Sequence, residues 1–224
     1  MKTQEKNFDG IKLSGFTAIL IMLALTGTAI YLLSLPQTPS IIAGVICGIC
    51  VVVMLPGFMI IQPNNSRVLT FFGRYAGTVI SNGFYWVNPL FLKSTVTLRI
   101  LNLNIDPIKV NDKVGNPIMI GAVVVWRIKD TYKASFDISG NIREFVQIQS
   151  DAALRQVAGM YAYDTNETID KVTLRSDESG EITQRLEDEL NSRLAIAGIE
   201  IVEARINYLA YASEIASVML RRQQ

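Results

Sequence analysis

The chain has no histidine and only two cysteines among its 224 residues. The first absence removes every catalytic triad or metal site built on imidazole. Two thiols, Cys47 and Cys50, form a CxxC but supply at most half of a structural zinc site, and both fall inside an apolar run with no water to stabilise a thiolate. They are read as small packing residues. No Walker A, GxGxxG or GxSxG spacing occurs. Excess charge of either sign is missing as well. Setting Lys2, Lys6, Lys12, Glu5 and Asp9 aside from totals of 21 basic and 20 acidic residues leaves 18 of each after Ser66. That balance argues against nucleic acid as a partner. The acidic cluster Glu187-Asp188-Glu189 is read as a solvated helix face, and the sequons at Asn64 and Asn166 as chance. The chain is expected not to be an enzyme and to carry no metal or cofactor.

The most informative absence is local. Between Lys12 and Arg67 there is no formally charged side chain, and a charge at the centre of a bilayer costs at least ~2.5–3.5 kcal/mol. The run divides into Gly15–Leu35 and Ile41–Ile61, separated by Pro36-Gln-Thr-Pro-Ser40. About 20 apolar residues span a bilayer, so two crossings and a short turn are expected, with both ends on one side. The stretch is too long for the apolar core of a signal peptide. Lys2, Lys6, Lys12, Arg67 and Arg74 flank the spans while the turn carries no cation, which predicts a cytoplasmic soluble part on a multi-pass cell (inner) membrane protein. No ionisable group inside the spans supports ion or proton transport. Gly44, Cys47 and Gly48 form a small-residue stripe suited to close helix packing, with Ala24, Gly27 and Thr28 of span one as the expected partner surface. Pro56-Gly57 predicts a kink or a shallow exit angle.

The remainder reads as strands first, then helices. Val68–Gly73 and the alternating Lys93–Ile105 read as strands, with the FYWVNPLF stretch after Asn82-Gly83 as a short turn region between them and a bulge or bend near Ile100. After the turn at Asp112–Asn116, Pro117–Ile128 is apolar on both faces and should be a central strand. Helical spacing follows over Asn141–Met160 and along Ile182, Leu186, Leu190 and Leu194, ended by Gly198. A capping box at Asp164–Glu167 predicts a short helix. Val202, Ala204, Ile206 and Tyr208 read as one face of a strand, and a last helix starts near Ser213 with no stop before Gln224. The domain expectation is 1–12 N-terminus, 13–62 hairpin, 63–211 α+β domain and 212–224 the start of an oligomerisation helix.

Phe71, Phe72, Phe84, Tyr85, Trp86, Leu90 and Phe91 lie close after span two. They either rest on the leaflet, where Trp and Tyr favour the headgroup level, or fill the first β-core. Glu181, Arg185, Glu187, Asp188, Glu189 and Arg193 surround the leucine stripe, and Arg221 and Arg222 close the last helix. These charges are the expected oligomer interface.

Ile61-Gln-Pro-Asn-Asn-Ser-Arg-Val-Leu-Thr-Phe-Phe-Gly-Arg, followed by Ser81-Asn-Gly-Phe-Tyr-Trp-Val-Asn-Pro, resembles the opening of an SPFH (band 7) domain. That superfamily includes stomatin, prohibitin, flotillin and the bacterial HflK/HflC pair. Ala122-Val-Val-Val-Trp-Arg, Ala152-Ala-Leu-Arg, Leu194-Ala-Ile-Ala-Gly-Ile-Glu-Ile and Tyr211-Ala-Ser-Glu-Ile-Ala extend the resemblance over about residues 61 to 224. Behind the membrane hairpin expected from the charge-free run, it implies an α+β SPFH domain and a long C-terminal, coiled-coil-forming helix. The implied function is a non-enzymatic scaffold that assembles into rings or cages and organises a membrane microdomain. Its partners would be membrane lipid and further copies of itself or a paralogue. The alternative is a regulatory subunit that encloses a membrane-bound protease, with an NfeD-like protein as another candidate partner. The two-span hairpin departs from the single N-terminal segment of prohibitin-like and HflK/C-like members.

Overall fold

The computed structural model describes residues 5–164, 172–176 and 180–216. The chain divides into two compact units, Met1–Leu98 and Arg99–Gln224.

In the first unit a three-residue strand β1 (Lys12–Ser14) runs directly into α1 (Gly15–Ser34), and α2 (Thr38–Met54) follows after a short turn. Pro39 sits in the first turn of α2, where its missing N–H leaves no bond unmade. Both helices invert the pattern of a water-soluble protein. Large side chains such as Phe16, Leu20, Ile30, Ile42 and Ile49 point outward, while Gly15, Ala18 and Ala29 of α1 and Gly44 of α2 are buried. Only 11% of each candidate span is buried, unlike the mostly buried core helix of a soluble domain, and this fits helices whose solvent is hydrocarbon. The hydroxyls of Thr26 and Thr28 donate back to Met22 and Ala24 carbonyls at 2.8 Å, so they need no water.

The helix α2 ends earlier than its apolar sequence predicts. Leu55–Gly57 tightens into a 3₁₀ turn and Phe58–Ile61 is strand β2. Pro56 breaks the helix rather than kinking it, because its ring excludes the bonding a continued helix requires. Strands β3 (Asn65–Phe71), β4 (Arg74–Val79), β5 (Gly83–Val87) and β6 (Phe91–Thr97) complete the unit. They form two antiparallel sheets, ordered β1-β5-β2 and β4-β3-β6. Between them Met59, Ile61, Leu69, Val79 and Val87 make a buried core, covered by Phe8, Tyr85 and Phe91. Residues before the spans join this unit: the Phe8 amide donates to the Thr78 carbonyl at 3.0 Å and the Thr78 amide to the Lys6 carbonyl at 2.9 Å. The expected bend near Ile100 is a full break, since β6 ends at Thr97 and β7 begins at Leu101.

The second unit contains β7 (Leu101–Asn111), β8 (Pro117–Ile128), α3 (Thr131–Phe136), α4 (Ile142–Ala158), α5 (Glu181–Leu194) and β9 (Ile199–Tyr211). The sheet order is β7-β8-β9, so β8 is the central strand its two apolar faces require. Ile182, Leu186, Leu190 and Leu194 are all buried along α5, and Val146, Ala153, Leu154 and Val157 along α4. Asp112 closes the β7–β8 turn. Its buried carboxylate accepts from the Val114 and Asn116 amides, the Asn116 side chain and the Tyr163 amide at 2.7–3.1 Å. Strand β9 departs from simple alternation. Trp126 pairs with Ile201 while Val125 pairs with Glu203, which leaves Val202 bulged and 47% exposed instead of on the core face. The capping box at Asp164–Glu167 lies largely outside the described residues, and only Ser213–Ala216 of the last helix lies within them.

Candidate membrane-contact and assembly surfaces

Strand β5 is the organising element of the membrane-proximal unit. It lies between the strand that enters the hairpin and the strand that leaves it, pairing Leu13 with Trp86 and Trp86 with Phe58. Its side chains alternate as a strand requires. Tyr85 and Val87 face the β-core, whereas Phe84 and Trp86 face the helix ends.

Phe84 closes over the start of α1. A Cβ at Gly15 would come within 2.3 Å of its ring, which stacks on Phe58 at 5.5 Å and meets Phe16 edge-on at 5.5 Å. Trp86 closes over the end of α2. Its indole N–H donates to the Met54 carbonyl at 2.9 Å, and a Cβ at Gly57 would lie 2.3 Å from the same nitrogen. Lys93 adds a cation at this helix end, donating to the carbonyls of Pro56 and Phe58, where it complements the helix dipole. Burial, with the Arg67 guanidinium as a second cause, lowers the Lys93 pKa.

The remaining aromatics occupy two adjacent turns. Register pairs Phe71 with Phe91, so the turn after Phe71 and the turn before Phe91 lie side by side. Phe72 is 78% exposed with a left-handed φ of 44°, and Leu90 is 58% exposed. Phe91 instead packs on the core, against Phe71 and Phe8 at ring distances of 5.3 Å. Asn88 and Pro89 stand beside Ile49, Cys50, Val53 and Met54 in the last turns of α2. The sequence-predicted cluster therefore separates into a hairpin clamp (Phe84, Trp86), a core pair (Tyr85, Phe91) and an exposed tip (Phe71, Phe72, Leu90). Gly15 and Lys93 were not singled out by sequence, and Gly57 was marked only for a kink or shallow exit angle with Pro56. Their roles depend on contacts with residues tens of positions away.

Within the hairpin, Gly44 meets α1 closely: a Cβ there would lie 2.8 Å from Leu33 Cγ and 3.1 Å from the Ala29 carbonyl. Gly48 and Gly27, expected in the same contact, face open space. The contact is made one helical turn further along α1 than expected. Cys47 is partly buried, Cys50 is exposed, and both thiols are free.

The α5 charges are less available than the sequence predicts. Glu187 accepts the Ala204 amide and Asn191 the Ile201 amide, both at 3.0 Å, so two side chains four apart satisfy the β9 amides that flank the bulge. Arg193 bonds Glu189 at 2.6 Å and Gln156 of α4 at 2.7 Å. Glu187, Glu189 and Arg193 thus hold the fold together, while Glu181, Arg185 and Asp188 remain exposed. Arg221 and Arg222 lie outside the described residues. Among the described residues no cluster of three or more potential ligands is placed to hold a metal.

A family model of the SPFH domain (Band 7 family) matches residues 59–224. No curated protein matches the chain.

Proposed function

Since the chain belongs to the SPFH (Band 7) family, we propose that it is a non-enzymatic membrane scaffold. The hairpin anchors it, the soluble part faces the cytoplasm, and copies associate side by side to organise a patch of membrane. The observation that carries this reading is the pairing of β5 with both β1 and β2, which ties the first unit to both ends of the hairpin. A unit held at both ends of the hairpin keeps one orientation to the membrane, so neighbouring copies present the same membrane-side face to one another. The cations Lys6, Lys12, Arg67 and Arg74 beside the spans support the cytoplasmic side. The bonding of residues 6–8 to β4 requires both flanks to be on one side, so these cations count together in that assignment.

Exposed charges such as Glu181, Arg185 and Asp188 contribute only ~0–1 kcal/mol per pair. Confinement to a plane raises effective concentration without new contacts, and a large homo-oligomer or alternating hetero-oligomer can then form from weak interfaces. Crosslinking in native membranes and mass photometry in mild detergent test the reading, with large assemblies as the expected result. A full-length chain that stays monomeric in both would defeat it. Co-purification of a membrane-bound AAA protease or an NfeD-like protein would move the assignment towards a protease-regulating subunit.

A further inference from the structure

We infer that the crevice between α2 and the turn carrying Pro89 holds one acyl chain of a membrane phospholipid from the leaflet on the domain side. This rests on the membrane reading of the hairpin. The crevice has a volume of about 410 Å³. Ile49, Cys50, Val53 and Met54 form one wall, spaced so that all four share a face of α2, while Trp86 and Pro89 contribute the opposite side. Two polar groups that border it have partners within the chain. The Trp86 N–H is given to the Met54 carbonyl at 2.9 Å, and Asn88 Oδ1 accepts the Leu90 amide at 3.0 Å. Water entering would find too few partners to replace its lost hydrogen bonds, so the space favours an apolar occupant.

The geometry indicates which one. Ile49 and Val53 are outward-facing residues of a candidate span, so the crevice is continuous with the surface that α2 presents to hydrocarbon. An acyl chain lying along α2 enters it without leaving the leaflet. The lipid would act as a wedge, filling the gap between the span and the turn and coupling the domain to the leaflet.

The full chain, reconstituted into phosphatidylethanolamine/phosphatidylglycerol vesicles and re-extracted in mild detergent, should retain a phospholipid detectable by native mass spectrometry. Val53→Trp and Ile49→Trp fill the crevice and should lower retention about tenfold, the change that losing roughly two buried methylenes produces. Ile42→Trp, on the outward face of α2 but outside the crevice, should leave it unchanged. Flotation with the same vesicles separates the two levels of the argument. Protein that floats yet retains no phospholipid, or retains it equally in all variants, overturns the acyl-chain site alone. Protein that does not float overturns the membrane reading and the site with it.

Discussion

The indole nitrogen of Trp86 and the carbonyl oxygen of Met54 are joined by a 2.9 Å hydrogen bond between residues 32 apart in sequence. The bond satisfies one of the carbonyls left unpaired at the end of α2. Trp86→Phe keeps an aromatic ring but orphans that carbonyl, and should cost about 1 kcal/mol. Gly57→Ala forces a methyl group against the indole and the Val87 carbonyl, and overpacking of this kind costs about 1–3 kcal/mol. Thermal unfolding in detergent reads both. The double variant should lose less than the sum, because the smaller ring makes room for the new methyl.

Topology is tested by labelling. With Cys47 and Cys50 replaced by alanine, a cysteine at Gln37 in the turn between spans should react with an impermeant thiol reagent applied to intact cells. A cysteine at exposed Val114 should react only after permeabilisation. The opposite pattern would place the domain outside the cytoplasm.

Leu90 and Phe72 mark the tip expected to dip into the leaflet. A spin label at Leu90 should relax faster with oxygen than with a water-soluble nickel chelate, as should a label at Phe72. Preferential relaxation by the chelate at both positions would show that the tip stands in water.

Asp151 offers a pH test. Among the described residues its buried Oδ1 has no hydrogen-bond partner. Burial raises its pKa, the Asp106 carboxylate pushes in the same direction, and Arg155 opposes them. A carboxyl whose folded pKa exceeds its unfolded value destabilises the fold when ionised and ceases to do so once protonated. Asp151→Asn should therefore raise the melting temperature at neutral pH. The gain should shrink as pH falls through the raised folded pKa towards the unfolded one, where the wild-type side chain is also neutral. A gain that is independent of pH would assign the effect to packing.

Strong periodic signals were legible in the sequence. The charge-free run defines α1 and most of α2, and the Ile182–Leu194 stripe with Gly198 defines α5 and its stop. The end of α2 was not legible, because Phe58–Ile61 continues the apolar run and composition alone cannot separate a short strand from a helix end. Strand β1 is only three residues long, and what holds it is β5, far away in sequence. Alternation placed Val202 in the core, but a bulge shifts register by one residue and turns it outward. The charges on α5 looked free because their partners, the Ala204 amide and Gln156, belong to other elements. Sequence marked the aromatics that follow span two, and the structure sorted them into clamp, core and tip.

The strand order β1-β5-β2 also fixes an order of events during synthesis. Lys12 pairs with Val87, and both spans are made between them. Chains grow at about 5–20 residues per second, N-terminus first, so β1 and β2 reach their places at the membrane before the strand that joins them exists. Until Val87 has emerged, the pairing of β5 with β1 and β2 does not yet hold the two ends of the hairpin together. On the membrane reading, insertion precedes closure, and a chain stalled between Ile61 and Val87 would carry a hairpin with two unpaired strand edges at its base.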